Sequence, residues 1–228
     1  MNTLAGLLNE PPVAIESPEL DAVREPSDAT ASPADWIHEE QIQGLVQQLF
    51  FQGESRVRHV GFTAVEAGAE TAQLCLNVAT ALAATGAHDV GLIDAGLQSV
   101  PLHSQLEIEL DGDAGGALAL GPRLWLVPRS SWLGRSTTQR IWDPSLSRLR
   151  AATMEFDHSV VAFDSLSWVT ARISQICDGL VLVLTANKTR RLVAAQVREQ
   201  LKRARVPVLG VVLAERHFPV PERLYRSL

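Results

Sequence analysis

Lysine is nearly missing from this chain. Among 20 basic residues only Lys188 and Lys202 are lysines, and no Gly-Lys pair occurs anywhere. That removes the usual way of placing an ammonium group in a phosphate-cradling loop. Tyrosine is scarcer still, with Tyr225 alone. The two cysteines, Cys75 and Cys177, lie far apart in apolar segments. They read as small core residues of a reducing compartment rather than a disulfide. No apolar run approaches the ~18 residues of a membrane span, and Met1–Glu10 lacks the basic start of a secretory signal, so a soluble protein is expected. The six histidines show no ligand spacing, and no Ser/His/Asp or Cys/His constellation can be traced; no metal and no catalytic residue is assigned.

Charge is unevenly spread. Residues 1–40 hold nine acidic residues and one arginine, while residues 41–228 are close to neutral, which disfavours nucleic acid as a partner. Residues 9–35 carry Pro11, Pro12, Pro18, Pro26 and Pro33 among acidic and small polar residues such as Ser27, Asp28, Thr30 and Ser32. Too little apolar surface is present to order such a stretch. Residues 1–35 are therefore expected to be a disordered acidic segment, with one domain over 36–228.

From Asp35, a candidate N-cap, the residues Ile37, Ile42, Leu45, Val46, Leu49 and Phe50 recur at helical spacing. Strands and helices then alternate. The strands are expected at 59–63, 89–93, 123–127, 159–163, 180–184 and 208–213. The helices are expected at 71–85, ended by Gly86, at 144–156 behind Asp143, and at 189–205. Nearly continuous apolar strands separated by helices imply an α/β fold, a parallel sheet with helices on both faces. Arg198, Lys202, Arg203 and Arg205 read as the solvated face of the last helix. The stretch Asp111-Gly112-Asp113 lacks the later oxygen ligands of a calcium loop and reads as a flexible loop.

The first strand–loop–helix unit, His59 to Asn77, is where a phosphate-binding loop would sit. In such a loop the backbone N–H groups and the helix N-terminus cradle phosphate, a lysine neutralises it, and the next Ser or Thr hydroxyl holds magnesium. Here the chain resembles the cytoplasmic bacterial tyrosine kinases (BY-kinases) of capsule and exopolysaccharide assembly. These are deviant-Walker P-loop proteins of the MinD/ParA type. Their loop reads T-S-x-x-P-G-E-G-K-S-T followed by N-L-A, and Thr63, Gly68 and Asn77-Val78-Ala79 fall in register with it. Leu92-Ile93-Asp94-Ala95-Gly96 resembles the family's L-I-D-A-D. The apolar strand Val160–Phe163 ending in Asp164 resembles its third motif, and Cys177-Asp178-Gly179 the start of its next strand. Val208–Leu213 and Phe218–Tyr225 resemble the end of the exopolysaccharide-type kinases.

The departures carry the functional expectation. The family's Gly-Lys-Ser falls on Glu70, Thr71 and Ala72, so the cation and the magnesium hydroxyl are lost and a carboxylate is gained. Gly96 replaces the second acid of L-I-D-A-D. Losing a single preorganised donor already costs ~3–4 kcal/mol of transition-state stabilisation. Glu70 reads as an internal stand-in for phosphate at a helix N-terminus. Both arginines of the family's E-x-x-R-x-x-R assembly helix are missing after Glu40, and so is its tyrosine cluster. The resemblance thus implies a vestigial nucleotide pocket of Gly68, Glu70, Thr71, Ala72, Asp94 and Asp164. The two aspartates are either relics of magnesium binding or strand-end caps for loop N–H groups. It further implies a pseudo-kinase or pseudo-ATPase in exopolysaccharide biosynthesis or export, with no cofactor. The expected partner is a membrane polysaccharide co-polymerase or other machinery protein, or copies of itself. The expected location is the cytoplasm, peripheral to the inner membrane through that partner. The alternative is an ATPase or tyrosine autokinase using ATP and magnesium at an unconventional site.

Overall fold

The computed structural model describes residues 33–52, 57–66, 71–97, 100–110, 116–133, 143–186 and 188–214. The acidic segment up to residue 32, the loop residues Gly68 and Glu70, the 111–115 stretch and Tyr225 lie outside the described residues.

Seven strands form one sheet: β1 (His59–Ala64), β2 (Val90–Asp94), β3 (Leu118–Gly121), β4 (Leu124–Val127), β5 (His158–Ala162), β6 (Gly179–Thr185) and β7 (Val208–Ala214), in the order β3-β4-β2-β5-β1-β6-β7. All neighbours pair parallel except β3 with β4. The α/β expectation therefore holds for six strands, and an antiparallel edge hairpin is added to it. β3 is a short apolar run, Leu118–Leu120 and Gly121, that lies partly exposed at the sheet edge, and four residues behind a glycine pair are too few to mark a strand by pattern. The next strand also begins one residue later than its apolar pattern suggests. Arg123 adopts φ 59 in the hairpin turn, and only its carbonyl reaches the ladder, accepting from the Val90 N–H at 2.9 Å.

Helices cover both faces. On one face lie α1 (Pro33–Val46) and α2 (Thr71–Ala84); on the other lie α5 (Asp143–Met154), α6 (Trp168–Ile173) and α7 (Arg191–Arg203). Two short helices, α3 (Leu102–Gln105) and α4 (Arg129–Leu133), follow β2 and β4. The first helix starts at Pro33, which is suited to a first helical turn, so Asp35 lies inside the helix rather than capping it. Ile42, Val46, Leu49 and Phe50 are buried as their spacing requires, but residues 47–51 wind as a π-helical turn. α2 is rich in alanine and lies close on the sheet, burying Cys75, Val78, Ala79 and Leu82. Gly86 at φ 70 ends it in the left-handed conformation. Cys75 belongs to this first core and Cys177 to the second, on the opposite face; both are free.

β1 lies between β5 and β6, and all six of its residues are buried. Gly61 is required there by packing: a Cβ would overlap the side chains of Leu180 and Phe163. α7 buries Val197 and Leu201 and exposes Arg198, Lys202 and Arg203, as its pattern predicts. Among the described residues no helix is long and apolar enough to cross a membrane.

Candidate functional site

The parallel strands bring several site residues to one edge of the sheet. Ligands of open α/β sheets bind outside the carboxyl ends of their strands. At that edge β2, β5 and β1 are neighbours, and their following loops are tied together. The Thr63 hydroxyl donates to the Asp164 carbonyl at 2.6 Å. The Leu166 N–H donates to the Ala64 carbonyl at 3.1 Å, and the Ala95 N–H to the Ala162 carbonyl at 2.9 Å.

Thr71 heads α2 with 7% of its surface exposed, and its buried hydroxyl has no hydrogen-bond partner among the described residues. Ala72, next along, packs against the first core. Neither residue brings a cation to the edge. Neither lysine stands at the start of α2. Lys188 stands on the loop after β6, on the same edge beside β1, and Lys202 lies in the last turn of α7.

Asp94 ends β2 and is 3% exposed. Its carboxylate accepts from the Gly96 N–H at 3.0 Å and from the Leu102 N–H at 2.8 Å. Its carbonyl accepts from the indole of the fully buried Trp132 at 2.8 Å. Burial pushes the carboxyl pKa above the ordinary range and the Asp164 charge adds to the rise, against the two N–H bonds and the Arg129 guanidinium. Asp164, just past β5, accepts from the Leu97 N–H at 2.5 Å. Both carboxylates accept backbone N–H groups from the chain that follows β2, at Gly96 and Leu102 for Asp94 and at Leu97 for Asp164. Gly96, in place of a second acid, has its N–H on Asp94 and its carbonyl facing Arg129 at 3.4 Å.

Among the described residues, those at this edge do not fit magnesium and ATP. The helix start offers a threonine where the ammonium is needed, and Asp94 is buried with both oxygens already accepting backbone donors. Among the described residues no cluster of His, Cys, Asp or Glu could hold a metal ion.

Two residues of this edge were not anticipated from sequence. Trp132 and Arg129 belong to α4, a helix too short to leave a periodic signal. The available clue was position: Arg129 follows the carboxyl end of β4, where functional side chains of such sheets gather.

No family model matches the sequence, and no curated protein matches it. Solved structures do. The chimerical protein CapA2B2 is 15% identical with a TM-score of 0.65, covering 82% of this chain and 86% of its own. The kinase domain of the Escherichia coli tyrosine kinase Etk is 15% identical with a TM-score of 0.56, covering 80% and 79%. A ParA family ATPase from Chlorobium tepidum is 18% identical with a TM-score of 0.51, covering 68% and 73%. The chain has the fold of bacterial tyrosine kinase domains and ParA-type ATPases. At these identities the likeness concerns the fold, and the site must speak for the chemistry.

Proposed function

We propose that this chain is a non-catalytic relative of the P-loop kinases and ATPases that works by binding a protein of the exopolysaccharide biosynthesis or export machinery. The pathway and the expected partner, a membrane polysaccharide co-polymerase, follow from the sequence resemblance to BY-kinases. The observation that carries the non-catalytic reading is the use made of the acidic residues. Asp94 and Asp164 direct their carboxylates to backbone N–H groups of one loop, while Thr71 stands where a lysine would meet phosphate. A buried carboxylate with satisfied acceptors is a structural element, and freeing it for a metal would leave amide donors unpaired at ~1–3 kcal/mol each.

A second reading, an ATPase with an unconventional site, rests on Lys188, the lysine on the β6 loop of the same sheet edge. Calorimetric titration with ATP and Mg²⁺ separates the two. The non-catalytic reading expects no binding tighter than ~1 mM. A micromolar dissociation constant that is lost in Lys188→Met overturns it in favour of the second reading.

A further inference from the structure

On the β4 side of Asp94, away from β5, a cavity of about 220 Å³ opens between the turns that follow β2 and β4. It is lined by Pro101, His103, Pro128, Arg129, Ser130 and Leu133. Most of its wall is apolar; three of the six residues, His103, Arg129 and Ser130, have polar side chains, and none of the six is acidic. Nδ1 of His103 has no hydrogen-bond partner among the described residues, but it is shut off from solvent and so does not face the cavity. Arg129 is held in place from behind: its Nη1 reaches the Gly96 carbonyl at 3.4 Å, and the next turn of α4 is pinned by the buried Trp132.

We propose that this cavity is a binding site for a phosphoryl group, free or carried on a small organic stub. Three polar residues, His103, Arg129 and Ser130, line it from two separate loops. A carboxylate is satisfied by the two parallel N–H groups of one guanidinium, whereas a phosphoryl group presents three oxygens to donors arriving from different directions. The size fits a small ligand, because cavities for drug-sized molecules run to roughly 300–1,000 Å³. Pro101, Pro128 and Leu133 supply apolar walls for the stub. The site is coupled to Asp94 through Arg129, whose charge opposes the upward push of burial on that carboxyl. An anion beside Arg129 offsets part of this field, so occupancy favours protonated Asp94 and protonation of Asp94 favours occupancy.

The test is an amide NMR titration of the full chain with inorganic phosphate and, separately, phenyl phosphate. Saturable shifts are expected at His103, Ser130 and the Trp132 indole, with a dissociation constant near ~1 mM. Arg129→Gln and Ser130→Glu should each weaken binding at least ~tenfold. The second variant leaves Arg129 beside Asp94, so it still reads the site if the first fails to fold. Tighter binding of phenyl phosphate identifies an organic monoester as the ligand, and equal binding identifies free phosphate. The proposal is overturned by no saturable shift at ~10 mM of either probe, by shifts centred on Thr71 instead, by acetate binding as tightly as phosphate, or by unchanged binding in Ser130→Glu. None of these outcomes depends on whether the chain binds ATP.

Discussion

At both edges of the parallel sheet acids accept backbone N–H groups, but where the strands end Asp94 is buried and where they begin Asp178 and Asp157 are exposed. At the carboxyl edge Asp94 sits under the loop it organises, and its pKa is raised by burial. At the amino edge, the Asp178 carboxylate accepts from the N–H groups of Arg58 and His59 at 2.7 and 2.9 Å, and Asp157 faces Arg58 and His88 at 3.9 Å across half-exposed pairs. Two buried histidines complete that edge. His59 bonds Ser159 Oγ at 2.8 Å, and the His158 ring stands edge-on to Phe50 and against His88, with centroids 5.5 and 4.6 Å away. Burial holds the pKa of His59 below its usual value. It lowers that of His158 to about 4, helped by the neighbouring His88 and Arg58.

The two edges must therefore answer acid with opposite signs. His158 binds its proton more weakly folded than unfolded, so its share of stability is present above 6.5 and is lost as pH falls toward about 4. Asp94 binds its proton more tightly when folded. Its share is fully present below 3.8 and is lost as pH rises through its elevated pKa. A carboxylate satisfied by backbone donors can still be a net burden when ionised, because two N–H bonds do not replace bulk water.

The sharpest way to break the comparison is at the support beneath Asp94. Trp132→Ala removes a fully buried indole and its bond to the Asp94 carbonyl. It should cost ~3–5 kcal/mol, read as the urea midpoint at constant m-value; a loss below ~1 kcal/mol would show that α4 is not part of the core. The acid response comes next in size. Stability curves at several pH values should show His158→Phe gaining on the parent as pH falls from 6.5 to 4. The full shift is worth ~3 kcal/mol, and solvent screening at the rim reduces this to ~1–2 kcal/mol. Asp94→Asn should move the other way, losing ground to the parent on acidification by up to ~1 kcal/mol. If both variants shift with the same sign, the contrast between the edges is wrong. The smallest effect belongs to the rim itself. The Arg123–Asp89 pair at 3.3 Å is half-exposed on both sides, and Arg123→Gln should change stability by no more than ~0.5 kcal/mol. A larger loss would point to the φ 59 turn at Arg123 rather than to its charge.

Much of the frame is legible in the sequence. Five strands and the longer helices announce themselves because burial on both faces demands an apolar run and burial on one face a 3.6-residue period; the edge strand β7 has the same apolar run although Val208, Val211 and Leu213 lie exposed. The helix-end signal of Gly86 is equally local. The π-turn at 47–51, the hairpin strand β3 and the short helices leave no such signature. Their geometry is imposed by packing over a few residues, which is too short a span for periodicity to register. At the site, the substitutions at Thr71, Ala72 and Gly96 are readable from motif register alone, whereas the partners of the aspartates are not. Asp164 finds its N–H donor 67 residues upstream, and Asp94 meets an indole 38 residues on.

What the sequence by itself determined is chemical: which positions of the first strand–loop–helix unit carry no cation, since residue type alone sets whether a side chain can be charged. What only the tertiary structure decided is how the remaining acids are used. A carboxylate's role depends on the donors that crossover connections bring to it. Those connections place the loops after β2, β4 and β5 side by side only once the sheet has formed, with β2 paired to both of the other strands. The fate of Asp94 as a buried cap, and the cavity beside it lined by Arg129 and His103, are products of that assembly.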